Sequence, residues 1–140
     1  MYSMRVKNVM EPKKLLVAPP QTTVAKAAKL MAKKNVGAVL VVDGRRLAGI
    51  FTERDAVFRV VAAGRDPATT SIGEVMTHDP VTVPPEEIFG RALLAMHDGG
   101  FRHVPVVENG EPVGIVSSRS ALDPEMEEFT AETQRRLSLR

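Results

Sequence analysis

The chain has 140 residues, a length that suits one compact domain or two small units sharing a core. Apolar residues make up 44% and aromatics only 4%, with no Trp and no Cys, so the core is expected to be aliphatic and disulfide or thiolate chemistry is excluded. The net charge is only +2, Met1 to Met10 lacks the apolar stretch of a signal peptide, and no apolar run approaches the ~20 residues of a membrane span, so a soluble, cytoplasmic protein with no membrane partner is expected.

In chain order, Leu15 to Val17 reads as a short strand stopped by Pro19-Pro20. Val24, Ala27, Ala28 and Met31 then follow helical spacing, with Lys26, Lys29 and Lys33 on the opposite face and Asn35 and Gly37 as the helix stop. Ala38 to Val42 is an apolar run typical of a buried strand, Asp43-Gly44 a tight turn, and Leu47 to Phe51 the returning strand. A helix is expected from Glu53 to Ala63. Gly64 to Ser71 is polar, contains a proline and has no apolar period, which marks a linker.

The pattern then repeats. Val9-Met10 returns as Val75-Met76, offset by 66, and Pro19-Pro20 as Pro84-Pro85, offset by 65. Ala27 and Met31 return as Ala92 and Met96, Val41-Val42 as Val106-Val107, and Gly49-Ile50 as Gly114-Ile115. So many matches in one order make the chain an internal repeat, with a one-residue length change between Met10 and Leu15. In the second copy Val81 to Val83 is the short strand, and Phe89, Ala92, Leu93 and Met96 give the helix, which stops at Gly99-Gly100. His103 to Val107 and Pro112 to Val116 form a hairpin around Asn109-Gly110, and a helix starts near Ser118. A three-stranded sheet with helices on one face leaves its other face bare, so the two copies should pack face to face about a pseudo-twofold axis, with clefts between them.

After Asp123-Pro124 a separate final helix of about 12–14 residues is expected, with acid at its start (Glu125, Glu127, Glu128) and Arg135 and Arg136 at its end. Met126, Phe129, Thr133 and Leu137 roughly share one face of it, for packing on the module itself or on a second subunit. Lys26, Lys29, Lys33 and Lys34 read as a solvated helix face or as a nucleic-acid patch. No stacking aromatics stand beside them, so no nucleic-acid partner is expected. No catalytic set is visible: the three His residues (78, 97 and 103) are scattered, no metal-binding HExxH or Gly-rich phosphate loop occurs, and the chain is expected not to be an enzyme and to hold no metal.

The Pro-Pro break, the helix, and the Val-Val hairpin followed by Gly-Ile and a Thr or Ser together resemble the CBS domain, of which tandem pairs are called Bateman modules. The resemblance covers about residues 5 to 122. It implies an α/β (α+β) fold of two CBS-type βαββα repeats, 1–66 and 67–122, packed face to face, with a C-terminal helical tail at 123–140. The family's ligand signature, Gly-apolar-x-Thr/Ser-x-x-Asp, is complete at Gly49-Ile50-Phe51-Thr52-Glu53-Arg54-Asp55. The resemblance implies Thr52 for a phosphate and Asp55 for the two hydroxyls of a ribose. The same Thr-x-x-Asp is also a helix-capping box, and the two roles can coexist.

The second copy reads Gly114-Ile115-Val116-Ser117-Ser118-Arg119-Ser120, so Ser117 keeps the hydroxyl while Ser120 replaces the acid. It carries instead Arg102-His103 before its second strand, which the resemblance directs toward phosphates. By position, the adenine contacts implied by the family fall near Val17-Ala18 and Val36, Gly37 and Ala38. The reading is an asymmetric regulatory module with no obligatory cofactor, sensing AMP, ADP, ATP or a related adenosyl compound. A flat homodimer and an unidentified effector protein are its expected partners. The alternative is an interaction protein with degenerate sites that acts through dimerisation and its tail helix.

Overall fold

The computed structural model describes residues 2–11 and 14–139, and for 121–127 the backbone course alone. The order is β1 (Val17–Ala18), α1 (Val24–Lys34), β2 (Ala38–Asp43), β3 (Arg46–Thr52), α2 (Glu53–Asp55), α3 (Ile72–Val75), β4 (Thr77–His78), α4 (Phe89–Gly99), β5 (His103–Glu108), β6 (Glu111–Ser117) and α5 (Ser118–Ser138). One sheet runs β1-β2-β3-β4, with β1 parallel to β2 and the remaining pairs antiparallel; the other is the β5-β6 hairpin. Among the described residues no helix is long and apolar enough to cross a membrane.

Local chemistry explains the elements. Thr23 Oγ1 accepts the Lys26 amide at 3.1 Å, so α1 starts with a side-chain cap. It stops where Asn35 turns left-handed (φ 56°), as α4 stops at Gly100 (φ 71°). Gly37 therefore does not end the helix. Asn109 and Gly110 both have positive φ, as a type I′ hairpin requires. In the first hairpin Asp43 pairs with Arg46, so the turn is Gly44-Arg45, one residue later than the Asp43-Gly44 signal. Asp43 stays extended and the positive φ falls on Gly44 instead.

Side-chain alternation then builds three apolar clusters. Val39, Val41 and Phe51 point to α1 and pack with Val24, Ala27 and Met31. Val104, Val106 and Val116 do the same with Phe89, Ala92 and Met96 of α4. The opposite faces meet, with Ala38, Leu40 and Ile50 packing beside Leu47 and Ile115. This seam is the expected face-to-face contact. Burying both faces of a sheet is why β2 is a nearly unbroken apolar run.

The packed halves differ from the sequence repeats, because each half borrows the segment that precedes the other's first strand. Ile72, Val75 and Met76 are buried in the first cluster, and Val6 in the second, with Val9 and Met10 packed against it. These are the equivalent positions found in the repeat. The exchanged segments also satisfy the free amides at the helix starts. Val24 N–H donates to Thr70 O (2.8 Å) and Ala25 N–H to Pro67 O (3.0 Å), while Phe89 and Gly90 donate to Met4 O and Tyr2 O (both 2.8 Å). Gly49 and Gly114 make room for the exchange. A Cβ at either would stand 2.5 Å from a sulfur, that of Met76 or of Met10.

Three further sequence expectations are corrected. Val81 to Val83 is not a strand: only Val83 bridges to Val106, because Pro84-Pro85 follows at once and Val81 turns outward, 50% exposed. The first sheet gains a fourth strand, β4, which pairs Gly49 with His78 and Ile50 with Thr77. The tail is not a separate helix but part of α5, which runs from Ser118 through Pro124 to Ser138. An interior proline deletes a ladder bond and crowds the preceding turn, yet the backbone stays helical through it. Residues 128–139 are all exposed, so this stretch of the tail buries none of its described residues within its own chain. The side chains of Glu125, Met126 and Glu127 lie outside the described residues.

Candidate functional site

Two clefts open between the halves, and they are unequal. The first encloses about 860 Å³ beside the start of α2. Its polar floor includes Thr52, Asp55, Arg102 and His103. Its apolar surface comes from Ile50, Val57, Phe58, Val81 and Phe101. The second encloses about 230 Å³ beside the start of α5, between Ser117–Ser120 and Val36–Ala38, with Lys14 and Glu11 at its rim. Gly37, Glu53, Arg102 and His103 line both, so the two clefts share one neck.

The first site is built on a strand-to-helix corner. Thr52 ends β3 in an extended conformation (φ −121°, ψ 170°) and caps α2. Asp55 Oδ2 accepts the Thr52 amide at 2.9 Å and lies 3.3 Å from its hydroxyl, while the Asp55 amide donates back to Thr52 Oγ1 at 3.4 Å. The capping-box role is therefore present. It engages one carboxylate oxygen. The other, Oδ1, stands 3.5 Å from Arg59 Nε, an ion-pair distance longer than a good hydrogen bond. Asp55 is 6% exposed, so its charge is held mostly out of water.

The second corner copies the geometry without the charge. Ser120 Oγ accepts the Ser117 amide at 3.1 Å and lies 3.4 Å from Ser117 Oγ. A serine thus does the capping work of the acid, but it offers no carboxylate. The necks match too: Glu53 N–H donates to Gly37 O and Ser118 N–H to Arg102 O, both at 3.0 Å. Where the second copy extends Arg102, the first has Gly37, and the Glu53 carboxyl end folds into the space a side chain there would fill.

Burial pushes the His103 pKa below the ordinary histidine value, Glu53 opposes this, and Arg102 adds to it. The imidazole is therefore largely neutral near pH 7 and offers a hydrogen bond to an anion, while Arg102 supplies the charge.

Of the residues singled out from sequence, Thr52, Asp55, Gly37, Arg102 and His103 share the first cleft. Val36, Ala38, Ser117 and Ser120 line the second, although Ala38 pairs with Thr52 across β2 and β3. Val17 and Ala18 line neither. Strand β1 is on the far side of β2 from β3, which puts Ala18 in the core and leaves Val17 46% exposed. Sequence reasoning missed Thr77, Asp79, Pro80 and Val81, which wall the first cleft. Their signal was the turn-forming Asp79-Pro80, whose Asp79 is left-handed (φ 45°).

A CBS domain family model matches residues 6–62 and 72–124. CBS domain-containing protein CBSCBSPB3 of Arabidopsis thaliana is 40% identical over 110 residues, covering 78% of this chain and 20% of the relative. The chain thus spans about a fifth of that relative's length. An uncharacterized conserved protein from Pyrococcus horikoshii superposes with a TM-score of 0.82 at 28% identity, over 89% of this chain and 94% of that one. A CBS domain protein from Pyrobaculum aerophilum, complexed with AMP, superposes with a TM-score of 0.76 at 27% identity, over 84% of this chain and 89% of that one. Two matched repeats, a helix-and-hairpin core in each half and the intervening clefts lead to one conclusion: the chain belongs to the CBS domain family, as a tandem pair.

Proposed function

We propose that this CBS pair is a regulatory module that binds one adenine nucleotide, AMP, ADP, ATP or a related adenosyl compound, in the first cleft. The observation that carries this reading is the asymmetry between the clefts: the larger one holds a carboxylate, Asp55, beside an apolar wall and opens onto Arg102. In this reading the ribose hydroxyls donate to Asp55, the base lies against the apolar wall, and the phosphates run to Arg102 and His103. Ser120 leaves the start of α5 without the acid that Asp55 supplies at the start of α2. The AMP complex of the Pyrobaculum aerophilum protein supports the ligand class. Binding would tie the two halves together across the neck and signal to an effector protein, with no reaction catalysed.

A thermal-melt panel tests this reading. A ligand at a hundred times its Kd adds about 2.7 kcal/mol to the stability of the native state, which raises the melting point by several degrees. AMP, ADP or ATP is expected to give such a rise. No rise with any adenosyl ligand favours an interaction protein with degenerate sites. Arg102→Ala is expected to reduce the rise from ATP far more than that from adenosine, because only ATP brings phosphate charge; equal losses would remove the phosphate assignment.

The module is also proposed to work as a homodimer. Val61 is 73% exposed, and Phe129 and Leu137 are 64% and 60% exposed on the tail of α5. A second copy is the partner that would cover this apolar surface. Sedimentation equilibrium is expected to give a dimer mass for the wild type and a shift toward monomer for Val61→Glu. A wild-type monomer at tens of micromolar refutes it.

A further inference from the structure

We infer that Arg59 is a positioning residue for the Asp55 carboxylate, and that it couples the ribose site to the exchanged segment forming the opposite wall of the cleft. This rests on the proposed role of Asp55 in ribose binding. The Arg59 guanidinium makes contacts in two directions. Its Nε stands 3.5 Å from Asp55 Oδ1. Its Nη1 donates to Val75 O at 3.3 Å and to Met76 O at 3.1 Å.

Those two carbonyls sit where α3 ends, and carbonyls at a helix end need outside donors. Val75 and Met76 are buried in the first half, and the next residues are β4 and then the cleft wall at Asp79–Val81. One planar side chain therefore links the oxygen left free by the capping box to the segment closing the site. The guanidinium suits this because its donors form a fixed fork; a lysine ammonium is a single point and cannot hold both ends in one plane.

A second observation supports the pairing of Asp55 with Arg59. At the repeat offset of 65, the counterparts of these two residues are Ser120 and Pro124. The copy without the acid also lacks the arginine. Arg59 lies in a π-helical turn, Ala56–Val61, while the matching stretch belongs to the α-helix α5. π-turns inside helices are frequent at functional sites. The acid, the arginine and the π-turn thus occur together in one half of the chain.

The test compares AMP with its 2′,3′-dideoxy analogue, which lacks both ribose hydroxyls. Wild type is expected to bind AMP at least tenfold more tightly than the analogue. In Arg59→Ala the AMP affinity is expected to fall five- to twentyfold while that of the analogue changes by less than twofold. A purely structural role would weaken both ligands equally, and that result overturns the proposal. Arg59→Lys guards against a poorly folded alanine variant. It is expected to bind AMP with intermediate affinity and the analogue unchanged, and equal losses for both ligands again overturn the proposal. If wild type binds AMP and the analogue equally well, the ribose reading itself fails, whatever the variants do. Amide exchange gives the coupling readout. AMP is expected to slow exchange at Thr77 and His78 in wild type and not in Arg59→Ala; equal slowing in both contradicts the link.

Discussion

Asp55→Ala is expected to weaken AMP and ATP binding at least tenfold and to leave the chain folded but less stable. Two losses contribute. Hydrogen bonds from hydroxyls to a charged acceptor are each worth about 1.5–3 kcal/mol, and the ribose would lose its pair. The carboxylate's half of the capping box, its bond from the Thr52 amide, is lost as well, at about 1 kcal/mol of stability, while the Thr52 cap on the residue 55 amide remains. Asp55→Ser separates the two effects. The second copy shows that a serine at this position keeps the capping contact, since Ser120 Oγ holds the Ser117 amide at 3.1 Å. Asp55→Ser is therefore expected to melt closer to wild type than Asp55→Ala does, while binding AMP no better. Calorimetry that finds either variant binding AMP as tightly as wild type would remove the ribose assignment.

Ile72→Ala is expected to destabilise the protein by about 2–5 kcal/mol, the usual cost of emptying a buried aliphatic site. Its side chain has no exposed surface and packs in the cluster that contains Val39 and Phe51. In the sequence Ile72 opens the second repeat, but its contacts are in the first half. Amide exchange in this variant should therefore accelerate most in β2, β3 and α1, and least in β5 and β6. The opposite pattern would mean that the segment packs on its own repeat and that the exchange described above is wrong.

These two residues also show what the sequence made legible. The corner formed by Thr52 and Asp55 was readable because a short capping motif sets it within one turn of chain. The helices were readable because Val24, Ala27 and Met31, like Phe89, Ala92 and Met96, obey a 3.6-residue period that burial enforces. The seam was readable because Ala38 and Leu40 are apolar on the face that α1 does not cover. The exchange of Val6 and Ile72 was not readable, since periodicity reports that a residue is buried and not against which partner. That Val17 and Ala18 line neither cleft was hidden for the same reason. The cleft wall at Thr77–Val81 reaches Asp55 only through β4, a pairing of two residues with no local pattern of its own. The π-turn carrying Arg59 likewise has no composition that sets it apart from an ordinary helix.

One adenine nucleotide is proposed to bind per chain, at Asp55 and not at Ser120. The most direct test is an amide NMR titration with AMP. Saturation is expected at one ligand per chain, with the largest shifts at Thr52–Asp55, Thr77–Val81 and Gly99–His103. Shifts centred on Ser117–Ser120, or saturation at two equivalents, would contradict it.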